Sequence, residues 1–149
     1  MEIIGVKHID MKSYDGFKFG PIQQELLEAL PLYAKCTSRL YKPGIGFCCL
    51  GVEAEVHEPA PWAAIGAGMG YTAEGRHFFS DLSTERWQAL GLRNSIGAFS
   101  KAVRYPDVHG RMQPFSTLVE FNDTSGYLDH EATVKFIMHH ATIIFTKSA

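Results

Sequence analysis

Cysteine is scarce and poorly spaced in this chain: there are three, and two of them, Cys48 and Cys49, are adjacent. Such a set cannot build a disulfide framework, and without a C-x2–4-C pair it lacks the spacing of a structural zinc site. No apolar run approaches the ~20 residues that a membrane-crossing helix needs. The opening residues, Met1 to His8, turn polar too soon for the apolar core of a secretory signal. Charge is also modest: Asp, Glu, Lys and Arg make up 20% of the residues, and the net charge is -2. That excludes a whole-surface attraction to nucleic acid while leaving room for a local basic patch. Patterns for G-x-S-x-G, a P-loop and a cysteine–histidine nucleophile are absent. These gaps lead us to expect a protein of a reducing cytoplasm with no metal and no cofactor.

What is present is the composition of a folded domain. Hydrophobic residues make up 46% of the 149 positions. That is ample for one compact domain, 1–149, whose core needs no covalent staple. The densest apolar block runs from Phe47 to Val56. Read as a helix, it places Cys48, Cys49, Val52 and Val56 on one face and turns Glu53 and Glu55 toward water. Read as a strand, it puts Cys49, Gly51, Glu53 and Glu55 on one face, a poor pattern for a buried sheet. The helix is the better reading, with Gly51 letting a neighbouring backbone approach closely.

Around that block the pattern is mixed. Residues 2–19 read as an edge strand or hairpin, with Asp15-Gly16 as its turn. Pro21 opens a helix whose stripe is Ile22, Leu26, Leu27 and Leu30, and Pro31 ends it. Residues 33–46 read as extended, with Lys35, Arg39 and Lys42 toward water and a turn at Pro43-Gly44. The glycine-rich residues 63–81 read as a mobile loop or an irregular hairpin, since no strand–loop–helix context for a phosphate loop surrounds them. Ser83 to Leu92 form a short helix, with Ser83 accepting from its first amides and Gly91 closing it. Residues 94–114 read as a hairpin or long surface loop, and Asn122 to Gly126 as a turn. Asp129 caps a last helix with the stripe Thr133, Phe136, Ile137, His140 and Ile144, although its β-branched end also suits a strand. The whole is an α+β domain, mainly helical with short antiparallel strands or hairpins.

Two islands carry a resemblance. Arg39-Leu40 leading to Phe47-Cys48-Cys49-Leu50-Gly51-Val52 is one, and Leu118-Val119-Glu120-Phe121-Asn122-Asp123 before a helix is the other. With the Leu82–Leu92 segment between them, they resemble a family of small, mostly uncharacterised phage-encoded proteins with an FCCLGV motif and an LND-type turn before the last helix. The likeness covers residues 22–146, and the cysteine island is its specific part. It implies a phage origin, a mainly helical α+β domain and work inside an infected bacterial cell. Alanine stands at Ala54 where the family often has a third cysteine, which speaks against a metal role for the island. The family carries no catalytic residues over to this chain.

Several constellations bear on chemistry. Cys36, Cys48, Cys49 and His57 can be assembled as zinc ligands on paper, but buried cysteines acting as small hydrophobes explain them better. His140 and Thr142 form an H-x-T element like half of a two-histidine phosphodiesterase site, and no second element faces it in the sequence. Paired carboxylates such as Glu53 and Glu55 read as a solvated face. Arg104, Tyr105 and Arg111, with Lys101 and His109 nearby, combine anion-holding guanidiniums with a stacking ring, and Arg76 and Tyr71 extend the set. The expected function is therefore a non-enzymatic phage accessory protein that binds and interferes with a host process. It would do so by sequestering a nucleotide-type signal or by blocking a host protein. A small phosphodiesterase using His140 and Thr142, and a homo-oligomeric interaction protein, are the alternatives.

Overall fold

A computed structural model describes residues 11–57, 62–66 and 68–149. The alternating residues Ile4, Val6 and His8 and the Pro59–Pro61 segment lie outside that range. Among the described residues, five α-helices and seven strands follow one another along the chain. The strands pair antiparallel in three small sheets, which makes the architecture α+β. No helix among the described residues is long and apolar enough to cross a membrane.

The chain enters through a hairpin tip in which Lys12 bridges Lys18 and Gly16 takes the left-handed conformation at φ 89 that its turn requires. Helix α1 covers Pro21–Ala29, with proline at its first position, and Leu30–Leu32 add one 3-10 turn through Pro31. Strands β1 (Tyr41–Lys42) and β2 (Gly46–Phe47) form a tight hairpin around Gly44, at φ 76. Lys35 does not face water as the sequence led us to expect: it is half-buried, and its ammonium donates to the Tyr127 carbonyl at 2.6 Å.

Helix α2 (Cys49–Val56) is the centre of the fold and packs on α1, on β2 and on the later helix Leu118–Thr124. Leu50, Val52 and Ala54 are fully buried. Cys48 is its N-cap, and the thiol accepts from the Gly51 amide at 3.3 Å. Gly51 is needed where it stands, because a Cβ there would overlap the Leu40 carbonyl oxygen. The same carbonyl accepts the Cys48 amide at 2.9 Å. Burial pushes the Cys49 thiol up to about 12 and that of Cys48 well above its ordinary value, so both are neutral and act as apolar packing.

The glycine-rich stretch is a three-stranded meander: β3 (Ala63–Ile65), β4 (Gly68–Ala73) and β5 (Arg76–Phe78). Glycine serves close approach here, since a Cβ on Gly70 would crowd the Phe78 carbonyl and the Phe79 ring. Helix α3 (Thr84–Leu90) follows Ser83 and ends at Gly91, at φ 84. Ser83 makes no side-chain cap. The Glu74 carboxylate from the β4–β5 turn accepts the Thr84 and Glu85 amides instead, both at 3.0 Å.

Strands β6 (Ala98–Pro106) and β7 (Met112–Thr117) make a long hairpin with a register shift between Ala98 and Val103. Helix α4 (Leu118–Thr124) runs through Asn122 and Asp123, which the sequence placed in a turn. Thr117 accepts the Glu120 amide at 2.9 Å while Glu120 accepts the Ser116 amide at 2.6 Å, a reciprocal cap that starts the helix early. Helix α5 (Glu131–Ile144) is kinked at His140 but ends helical rather than as a strand at its β-branched residues, and Asp129 accepts the Glu131 amide at 3.1 Å. Phe121 and Phe136 stack at 4.1 Å between the two helices, and Phe115 closes the cluster edge-on.

Candidate functional site

The residues expected to hold an anion fall in two places. Arg104 is exposed on β6 and donates to the Met112 carbonyl across the hairpin at 3.2 Å. Tyr105 is the next residue, so it points to the opposite face, where its ring meets Phe136 edge-on at 4.9 Å. Arg111 sits in the hairpin turn with its Nε 3.5 Å from Asp107. Asp107 organises that turn by accepting the His109 and Arg111 amides at 2.9 and 3.0 Å. Desolvation would raise its carboxyl, yet these amides and Gln113 outweigh it and hold the group below its ordinary value.

Arg76 and Tyr71 belong to the other sheet. Arg76 lies 4.2 Å over the Phe78 ring and reaches both Asp81 oxygens at 3.2 Å. Tyr71 is 1% exposed, and its hydroxyl accepts the Ser83 amide at 2.9 Å. Its ring therefore offers no open face to a base. Arg104 and Arg111 share one hairpin, while the Tyr105 ring is turned to its other face against Phe136.

His140 marks a break in α5, with φ -132 and ψ 22 inside the helix. The hairpin tip fills the break. Tyr14 donates its amide to the Met138 carbonyl at 2.7 Å, and Asp15 accepts the Thr142 amide at 3.0 Å and hydroxyl at 2.8 Å. The Thr142 proton is thereby committed to a structural tie. The His139 ring lies 6.2 Å from that of His140, beside Tyr14 and Tyr105. Burial, with the charge of His139, holds His140 below its ordinary value, so it is neutral at pH 7.

A concavity of about 510 Å³ opens between the β1–β2 and β3–β4 hairpins. Tyr41, Ile45, Gly68 and Met69 form its apolar walls, and Arg39 and Lys42 supply its charge. No acidic residue lines it, and no carboxylate among the described residues pairs with either cation. The Arg39 guanidinium is held 5.5 Å over the Phe79 ring. Behind the wall Tyr41 stacks on Phe47 at 4.5 Å, and Trp62 tilts against it at 5.3 Å. Gly44 and Gly66 turn the two hairpins in the left-handed conformation, at φ 76 and 61. Arg39 and Lys42 were read from the sequence only as solvated; their meeting with Met69 depends on hairpin packing that no local pattern encodes.

A second polar cluster lies in a groove of about 290 Å³ where α1, α2 and α3 meet, lined by Ile22, Glu53, His57, Glu85, Arg86 and Ala89. Glu53 is 2% exposed, so it is no part of a solvated face. It is buried because His57, one turn on, approaches it with Nδ1 at 2.6 Å. The other ring nitrogen meets Glu25 at 2.9 Å. Both nitrogens of His57 are thus engaged at the end of α2 remote from Cys48 and Cys49, and the four residues assembled on paper as zinc ligands do not converge. The i, i+4 spacing of Glu53 and His57 was the signal that could have revealed this pair.

Comparison with known proteins returns no matching family model, no matching curated protein and no matching solved structure.

Proposed function

We propose that this chain is a non-catalytic binding protein whose ligand seat is the concavity between the two hairpins. The observation that carries this reading is the pairing of Arg39 and Lys42, two cations with no carboxylate partner among the described residues, with the apolar wall of Tyr41, Ile45 and Met69. Such a lining suits a ligand that is anionic at one end and planar or apolar at the other, which is the chemistry of a nucleotide. Together with the resemblance to phage accessory proteins, it supports sequestration of a nucleotide-type host signal in the cytoplasm of an infected bacterium. The committed Thr142 proton, and the lack of a second H-x-T or H-x-S element in the sequence, favour binding over a phosphodiesterase at His140.

Calorimetric titration with ATP, GMP and a cyclic dinucleotide tests the reading. Saturable binding to at least one is expected, weakened about tenfold or more by Arg39→Ala or Lys42→Ala, as loss of one charge-assisted contact implies. Arg104→Ala and Arg111→Ala should leave it unchanged. Loss of binding in the Arg104 and Arg111 variants alone would move the seat to the β6–β7 hairpin. No binding of any anion would overturn the nucleotide reading. A protein partner, either a host protein or a second copy of the chain, is favoured by the exposure of Leu32 (81%) and Leu128 (90%). Concentration-dependent light scattering of the wild type and of Leu128→Ser separates self-association from a monomeric binder.

A further inference from the structure

His57 stands at the C-cap of α2 and touches carboxylates of two helices. A carboxylate only accepts, and a neutral imidazole has a single N–H to give. Two nitrogen–oxygen contacts at 2.6 and 2.9 Å therefore require one proton more than a neutral histidine and two carboxylates possess. We propose that Glu25, His57 and Glu53 form a one-proton clamp that fastens α1 to α2 beside the three-helix groove and lets go of Glu25 when the proton leaves.

Among the described residues, the groups that face His57 act in one direction. Glu53 approaches from its own helix, and Glu25 from α1. On α3, Arg86 and Glu85 line the same groove. Arg86 is anchored by its Nη1 on the Ala54 carbonyl at 3.1 Å, where its charge favours an ionised Glu53. Burial pushes the Glu53 carboxyl up against that pull. Burial would lower His57, but the bonds and charges of Glu53 and then Glu25 raise it above its ordinary value. Both groups shift upward, so the folded pair holds its proton more tightly than the unfolded chain does. The clamp's contribution to stability is complete below the ordinary histidine range, and it is lost as pH rises through the raised folded value.

When the proton leaves, one N–H must serve two carboxylates. Glu53 keeps it, because an unpartnered buried carboxylate is far costlier than one in water, and Glu25 is 49% exposed. Deprotonation thus frees one side of the groove without unseating α2. The event is a local release, and it is independent of the ligand seat between the hairpins.

NMR titration of the full chain with labelled histidine, His57 being assigned through His57→Gln, reads the clamp directly. Both ring nitrogens of His57 should be protonated below the ordinary histidine range, and the ring should titrate with a midpoint above the ordinary 6.5. The backbone amides of Gln24 and Leu26 should follow the same midpoint. Glu25→Gln should lower that midpoint by a few tenths of a pH unit and abolish the α1 response, with the melting temperature at pH 9 unchanged. Glu53→Gln should lower it further; if that variant does not fold, the Glu25 comparison decides. A midpoint at or below 6.5, or α1 amides that ignore the titration in the wild type, would overturn the clamp.

Discussion

Replacing Gly51 by alanine sets two terms of opposite sign against each other, and the structure decides between them. In an exposed helix interior the change would stabilise by about 1 kcal/mol, because alanine loses less backbone freedom on folding. Gly51 instead faces the Leu40 backbone, where the new Cβ would overlap the carbonyl oxygen deeply and lie 3.2 Å from the Leu40 Cα. The obstacle is main chain, so no side-chain rotation relieves it. That oxygen also accepts the Cys48 amide, and the Leu40 amide donates to Phe79 at 2.7 Å, which fixes the segment from both sides. Moving it strains a bond at the start of α2 and another at the end of β5. Overpacking of this kind costs ~1–3 kcal/mol in a core, and rigid backbone puts it at the upper end. After subtracting the propensity gain, a net loss of about 2 kcal/mol remains, or about 4–8 °C in melting temperature for a chain of this length. Urea denaturation of both proteins with a shared slope measures it. A Gly51→Ala protein as stable as the wild type would refute the packing of α2 on Leu40.

The tie between α2 and α4 gives a second measurement. Asn122 accepts the Cys49 amide at 3.1 Å and donates to the Cys36 carbonyl at 3.0 Å, with no exposure of its own. Asn122→Ala leaves two buried backbone groups unpaired and should cost about 2–4 kcal/mol in urea titrations, whereas Asp123→Ala, which removes the exposed bond to the Ser38 amide and a second acceptor for the Asn122 amide but leaves Asn122 bonded to Cys36 and Cys49, should cost less. Glu74 provides a pH test. The Glu85 and Thr84 amides hold its carboxylate below the ordinary value of 4.5, so the cap it gives α3 is intact above that value and fades as pH falls through the lowered one. Circular dichroism melts should show Glu74→Gln less stable than the wild type at pH 7, with the gap closing in acid.

The central helix was legible because its signals are local. Apolar spacing, the turn residues before it and a glycine inside it all point one way, and α2 forms where they place it. Glu53 was misread for the opposite reason. Its helical position beside Glu55 looks solvated, but Glu25 and Arg86 come from α1 and α3, about thirty residues away on either side. Residues 63–81 read as a mobile loop or an irregular hairpin because glycine disfavours regular strands in isolation. In the meander their lack of a side chain admits the Phe79 ring, a tertiary reason that composition does not carry. Asn122 and Asp123 favour turns when their side chains bond their own backbone. Here both side chains reach the 36–49 region instead, so the α4 backbone stays free to be helical.

That last exchange bears on where function should be sought. The two sequence islands meet in space: Asn122 joins Cys49 and Cys36, the Cys49 thiol faces the Leu118 carbonyl at 3.9 Å, and Asp123 takes the Ser38 amide. Cys48, Cys49, Gly51 and Asn122 are all buried, and none of them lines either the concavity or the groove. Packing alone accounts for their identities: a thiol small enough to cap a helix, a glycine under a carbonyl, an amide with both a donor and an acceptor to place. The distinctive motif is thus the lock of the fold. The residues proposed to meet a ligand lie on the two hairpins that flank the cysteine block, where Arg39, Lys42 and Met69 could change without disturbing α2. A chain sharing the two islands would then be expected to share this architecture while differing in what it binds. Sequence likeness at the cysteine block should predict structure better than it predicts ligand.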